Sequence, residues 1–242
     1  MGDEIAKLKD LYAASHRIVF FGGAGVSTES GIPDFRSTGG LFHTKYAHPP
    51  EVMLSHRFFM RHPNEFFRFY KDKMVHVDAQ PNAAHTALAE MEKQGKLTAV
   101  ITQNVDGLHQ KAGSRNVIEL HGSIHRNFCM RCRKPYGLDF VLQAEDVPRC
   151  ECGGIVKPDV VLYEEGLDDE AIHSAMQHIM NADMLIVGGT SLRVYPAAGL
   201  VEDYVGDKLV VINKGETHID DSADLVICES IGETLHTLLM TS

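Results

Sequence analysis

Four of the five cysteines lie between positions 129 and 152, spaced Cys129-x-x-Cys132 and Cys150-x-Cys152. Two close thiol pairs bracketing a short insert can converge on one ion, and four thiolates suit tetrahedral zinc. Such a site has no open coordination position, so the metal would fold a lobe and not catalyse. The second pair is one residue shorter than the usual C-x-x-C form, and Gly153-Gly154 can supply slack. Four reduced thiols in an irregular lobe are the alternative. Cys228 lies far off and reads as a buried apolar strand residue.

Three further groups could carry chemistry. The run Gly22-Gly23-Ala24-Gly25-Val26-Ser27-Thr28 follows an apolar stretch, Ile18–Phe21. A glycine turn there lets backbone N–H groups approach a pyrophosphate. Gly23 and Gly25 fit G-x-G-x-x-G, but Thr28 holds its third position, so a plain strand-to-helix turn is the other reading. Arg36 offers a charged fork to phosphate. The second group, Gln103-Asn104-Val105-Asp106, ends the stretch Ala99–Thr102. Asp106 could accept from a carboxamide, and Gln103 and Asn104 could bond ribose hydroxyls; helix capping is the alternative. The third is His121, after Val117–Leu120. An imidazole titrates near neutrality and can serve as a general base. His16, His43, His48, His56, His62, His76, His85 and His109 have no equal claim and read as surface or packing residues.

These groups need a scaffold. Strands are predicted at Ile18–Phe21, Ala99–Thr102, Val117–Leu120, Met184–Val187, Leu209–Ile212 and Leu225–Cys228. Helical spacing recurs between them at Ile5/Leu8/Tyr12, Ala84/Leu88/Met91 and Ile172/Ala175/Met176/Ile179. A last helix opens with a Ser230–Glu233 capping box and presents Leu235, Leu238 and Leu239. The alternation predicts an α/β fold with a doubly wound, Rossmann-like parallel sheet, whose ligands bind beyond the carboxyl ends of the strands. Residues 38–80, helical over Asn64–Met74, and the cysteine-bearing 122–158 interrupt it. They read as a helical insert and a zinc-binding insert that form a smaller lobe. The sheet domain is then 1–37, 81–121 and 159–242.

The run Gly23–Ser37, GAGVSTESGIPDFRS, resembles the opening signature of the sirtuin family nearly residue for residue. Four more motifs follow in family order: TQNVDGLH at 102–109, Leu120-His121-Gly122, Lys157-Pro158-Asp159-Val160-Val161, and the GTSL-x-V-x-P pattern over Gly189–Pro196. The likeness spans about residues 10 to 240. It implies an NAD-consuming enzyme that removes acetyl, or longer apolar acyl, groups from protein lysines, yielding nicotinamide and acetylated ADP-ribose. It implies NAD contacts from Gly23, Ala24, Gly25, Thr28, Arg36, Gln103, Asn104, Val105, Asp106, Gly189, Thr190, Ser191, Asn213 and Ile231. By the same likeness Phe35 shields the reactive ribose, Val160 and Phe35 wall the acyl-lysine tunnel, and His121 is the base, with Asn104 and Asp106 beside it. Members that prefer succinyl or malonyl groups carry a Tyr-x-x-Arg pair; Phe67 and Tyr70 fall there, so acidic acyl groups are disfavoured. Where many members have Phe-Gly-Glu, this chain has Tyr163-Glu164-Glu165. That acidic pair could attract a basic peptide or merely solvate an edge.

Acidic residues outnumber basic ones, 33 to 23, for a formal charge of −10, which disfavours general nucleic-acid binding. No stretch approaches the ~20 apolar residues of a membrane span. The polar start carries no signal peptide, and Ala6 stands where myristoylation wants Ser or Thr. A cytoplasmic protein with reduced thiols is expected. The partners implied are acetylated lysine proteins or peptides. Protein mono-ADP-ribosyl transfer at the same site is the nearest rival. A hydride-transferring dehydrogenase and a zinc-ribbon adaptor fit less well.

Overall fold

The computed structural model describes residues 2–35, 39–41, 46 and 48–240. The elements run α1 Gly2–Ala13, β1 Ile18–Gly22, α2 Pro50–Met53, α3 His56–Arg61, α4 Pro63–Lys73, α5 Ala83–Lys93, β2 Leu97–Thr102 and α6 Leu108–Ala112. They continue β3 Val117–Glu119, β4 Gly122–Cys129, β5 Pro135–Gly137, α7 Leu138–Gln143, β6 Val156–Val160 and α8 Asp169–Asn181. The last are β7 Met184–Gly188, β8 Leu209–Ile212, β9 Leu225–Ile227 and α9 Ile231–Leu239. All six predicted strands are present, most with their ends moved by one or two residues.

Those six form one parallel sheet in the order β3-β2-β1-β7-β8-β9. Alternation along β1 shows why both faces are covered. Ile18 and Phe20 face a core shared with Leu8, Leu88, Met91, Leu235 and Leu238 from α1, α5 and α9. Val19 and Phe21 face the opposite core, with Ala175 and Ile179 of α8. A side chain points to alternate faces at each step of a strand, so a strand apolar at every position must be sandwiched. Burying each such Phe stabilises the fold by roughly 1.5–3 kcal/mol. The chain reverses its winding between β1 and β7, which opens a crevice at their carboxyl ends.

The two interruptions share a third core. Phe58, Phe59, Phe66, Phe67, Phe69 and Tyr70 of α3 and α4 pack with Ile124, Cys129, Val141 and Val156 of the cysteine-bearing segment. Its sheet is antiparallel, in the order β5-β4-β6. The boundary expected at residue 159 therefore falls inside β6.

Two local expectations are corrected. Ser230 caps α9 in position only: its hydroxyl donates to Glu29 Oε1 at 2.7 Å, and the same oxygen accepts Gly232 N–H at 3.1 Å. A distant carboxylate thus replaces the local box. A true capping box stands instead at Asn82 and His85 on α5. Cys228 is exposed, not buried, because β9 ends at Ile227 and the chain there turns towards α9.

Candidate active site and metal centre

The parallel strands deliver their carboxyl ends to one edge, where the glycine loop, the Gln103–Asp106 loop and His121 meet. After β1 the chain enters a 3₁₀ segment, Ala24–Ser30, and not an α-helix. Gly25 N–H donates to Gly189 O at 2.8 Å. A Cβ on Gly25 would sit 2.7 Å from that oxygen, and one on Gly23 would sit 2.9 Å from Thr190 Cβ. Close approach of two loops therefore accounts for these glycines.

Ser27 is the centre of the polar network. Its hydroxyl donates to Asp106 Oδ2 at 2.6 Å and accepts from Asn104 Nδ2 at 3.0 Å. Asp106 Oδ1 also accepts Leu108 N–H at 2.9 Å across the N-cap Gly107, so Asp106 braces the start of α6 as well as facing the cavity. Gln103 Nε2 donates to Thr190 Oγ1 at 3.0 Å. Nothing in the local spacing marks out Ser27. It stood inside the quoted motif, but a serine after a glycine turn usually signals only a cap.

His121 Nδ1 lies 2.9 Å from Gln103 O. A carbonyl only accepts, so Nδ1 carries the proton and Nε2 is left as the base. Burial disfavours the imidazolium and lowers the pKa of His121, with the Gln103 bond acting against that. Gly122 follows at φ 75°, and a Cβ there would come within 1.9 Å of Asp159 O. Only glycine lets β4 begin its antiparallel pairing with β6 directly after the histidine.

A cavity of about 260 Å³ joins these groups. Of the expected residues, Ala24, Phe35, Gln103, Asn104, Val105, Asp106, His121, Val160 and Ser191 line it, and Ser27 does too. Gly23, Gly25, Thr28, Gly189, Thr190, Asn213 and Ile231 lie outside that lining. Thr28 Oγ1 donates to Gly25 O, Asn213 Nδ2 donates to Gly215 O, and Ile231 is buried in the core beneath Gly188. Arg36 and His43 lie outside the described residues. His85 and His109 are buried packing residues with ring centroids 4.7 Å apart.

In the small lobe the sulfurs of Cys129, Cys132, Cys150 and Cys152 all lie within 4.8 Å of one another. Cys129–Cys152 and Cys132–Cys150 are each 3.5 Å apart. Tetrahedral Zn–S bonds of ~2.3 Å put sulfurs about 3.8 Å apart, so the short Cys150-x-Cys152 pair fits one zinc ion. No helix among the described residues is long and apolar enough to cross a membrane.

A model described as the Sir2 family matches residues 23–196. The NAD-dependent protein deacetylase of Clostridium acetobutylicum is 61% identical over 241 residues, 98% of each chain. A solved Sir2 with a p53 peptide and NAD+ is 40% identical, with TM-score 0.85 over 97% of each chain. A Sir2 variant with deacetylated p53 peptide and 3'-O-acetyl ADP-ribose is also 40% identical. Its TM-score is 0.90, covering 98% of this chain and 97% of that one.

Proposed function

Because the chain belongs to the Sir2 family, we propose that it removes acetyl groups from protein lysines while consuming NAD, with nicotinamide and acetylated ADP-ribose as products. The observation that carries this reading is His121. It lines the cavity with Nε2 unprotonated, beside the linked Ser27, Asn104 and Asp106.

NAD, as co-substrate, supplies the ribose carbon that accepts the acyl oxygen. Asp106 has lone pairs left to hold a carboxamide, and Gln103 and Asn104 have polar atoms for ribose hydroxyls. Val105, Ala24 and Ser191 complete the pocket wall. His121 Nε2 takes a proton from a ribose hydroxyl. Phe35, half-buried over the cavity, keeps water from the reacting carbon, and with Val160 it walls the acyl-lysine tunnel. Gly23, Gly25, Thr28, Gly189, Thr190, Asn213, Ile231 and Arg36 hold or support the rest of the dinucleotide. Cys129, Cys132, Cys150 and Cys152 hold a structural zinc. A cytoplasmic location fits four clustered cysteines that bind a metal instead of pairing as disulfides. The sheet domain then comprises 1–37, 81–121 and the chain after β6, with 38–80 and 122–160 as inserts sharing one core.

Purified protein incubated with NAD and an acetyl-lysine peptide, followed by mass spectrometry, tests the reading. Loss of acetyl matched by nicotinamide and acetylated ADP-ribose is expected. His121→Ala is expected to abolish turnover and keep NAD binding. NAD consumed with the peptide intact and ADP-ribose left on protein would favour mono-ADP-ribosyl transfer instead.

A further inference from the structure

The acidic pair Glu164-Glu165 follows β6, whose motif Lys157–Val161 resembles the sirtuin strand that pairs with the substrate peptide, and the two carboxylates have different fates. Glu165 is neutralised within the protein. Its Oε1 lies 2.8 Å from His56 Nδ1. Its Oε2 lies 3.1 Å from the buried Lys157 Nζ and accepts Leu162 N–H at 2.9 Å. Glu165 therefore explains the position of the turn and not the choice of substrate.

Glu164 is built differently. Glu165 N–H donates to Leu162 O at 3.0 Å, closing a four-residue turn whose third residue is Glu164 at φ 75°. Glycine takes that conformation freely, which accounts for the glycine many sirtuins carry here. This chain places a charge there instead. Glu164 lines the same cavity as His121, Phe35 and Val160, and its side chain is 43% exposed. Its Oε2 accepts Arg57 N–H at 3.0 Å, while Oε1 is 3.5 Å from Arg57 Nη2. The Arg57 side chain is itself 69% exposed, and such a pair is weak and screened, so the carboxylate keeps much of its field. Among the described residues, the other charged lining groups do not cancel it. Lys73 Nζ sits 3.2 Å from Asp72, and Asp106 is held by Ser27 and Leu108.

We propose that Glu164 determines specificity: it favours acyl-lysine peptides with Lys or Arg beside the modified lysine and disfavours those with Asp or Glu. The proposal rests on the deacetylase reading. The attraction acts in solvent-exposed surroundings, so it sorts partners more than it binds them.

The test uses acetyl-lysine peptides identical except for one flanking residue, Lys, Gln or Glu, placed at each flanking position in turn. Wild-type protein is expected to show kcat/KM roughly tenfold higher for Lys than for Glu at one position or more, shrinking with salt. In Glu164→Gln, which keeps the shape, and Glu164→Gly, which relaxes the turn, the Lys-to-Glu ratio is expected to fall below about twofold. Arg57→Ala is expected to enlarge it. An unchanged ratio in both Glu164 variants overturns the proposal. A wild-type protein inactive on every peptide, the Gln one included, would sink the deacetylase reading and this proposal with it.

Discussion

The hydroxyl of Ser27 donates to Asp106 Oδ2 at 2.6 Å, joining two loops 79 residues apart in the chain. The same oxygen accepts from the buried Asn104 amide, so one serine sets the spacing between the glycine loop and the polar strand end. Ser27→Ala removes a donor and an acceptor together. A buried polar group left unpaired costs roughly 1–3 kcal/mol. We expect about a tenfold or greater fall in kcat/KM for NAD, read by steady-state kinetics. Wild-type kinetics in this variant would show that the loops hold their spacing without it.

The pH profile tests His121. Burial lowers its pKa from the ordinary 6.5, so the neutral base persists as pH falls past that value. The acidic limb of kcat/KM is expected below 6.5. A limb above it would point to another group.

Stability has a separate acid sensitivity in His109. Its imidazole is buried against His85 and Phe20, and burial pushes its pKa down from 6.5 to about 3, with His85 adding in the same direction. The unfolded chain binds the proton first, so stability is full above 6.5 and is lost as pH falls towards 3. His85, also lowered by burial, contributes with the same sign. Thermal melts across that window should fall steadily for wild type and less steeply for His109→Leu. Equal slopes would rule His109 out as the cause.

Metal analysis should find about one zinc per chain, held by four thiols that react with a thiol reagent only after chelation. Cys129→Ser leaves one ligand too few and is expected to destabilise the small lobe by several kcal/mol, seen as a lower Tm. A variant with unchanged zinc and Tm would refute the four-cysteine site.

Acyl preference follows from what α4 buries. Phe67 and Tyr70 are 1% and 0% exposed inside the small-lobe core, and neither lines the cavity. The cavity wall includes Leu41, Leu54, Met74, Val105 and Val160, while the Lys73 ammonium is paired with Asp72. An unpaired carboxylate on such a wall is costly. Acetyl-lysine peptides should be turned over at least about tenfold faster than succinyl-lysine ones, measured side by side. The reverse order would mean that Lys73 leaves Asp72 to meet the substrate.

Much of this protein was legible in the chain itself. The runs at Ile18–Phe21 and Met184–Val187 read as doubly covered strands because each is apolar at successive positions, while Glu119 breaks that pattern in the edge strand β3. The loops at Gly23 and Gln103 had to lie at strand ends, and the cysteine pairs pointed to one ion. All of these signals are local: a residue's type and spacing constrain its neighbours along the backbone. What only the tertiary structure decided was which distant groups meet. Ser27 reaches Asp106, Glu29 takes the place of Glu233 at the start of α9, and His109 ends beside His85. Glu164 and Glu165 both line the cleft, but Glu165 is held by Lys157 and His56 while Glu164 meets the exposed Arg57. Contacts of that kind depend on how β1, β2 and β6 are laid against one another. Sequence spacing does not carry that information, because hydrogen bonds and charge pairs act through distances in space and not along the chain.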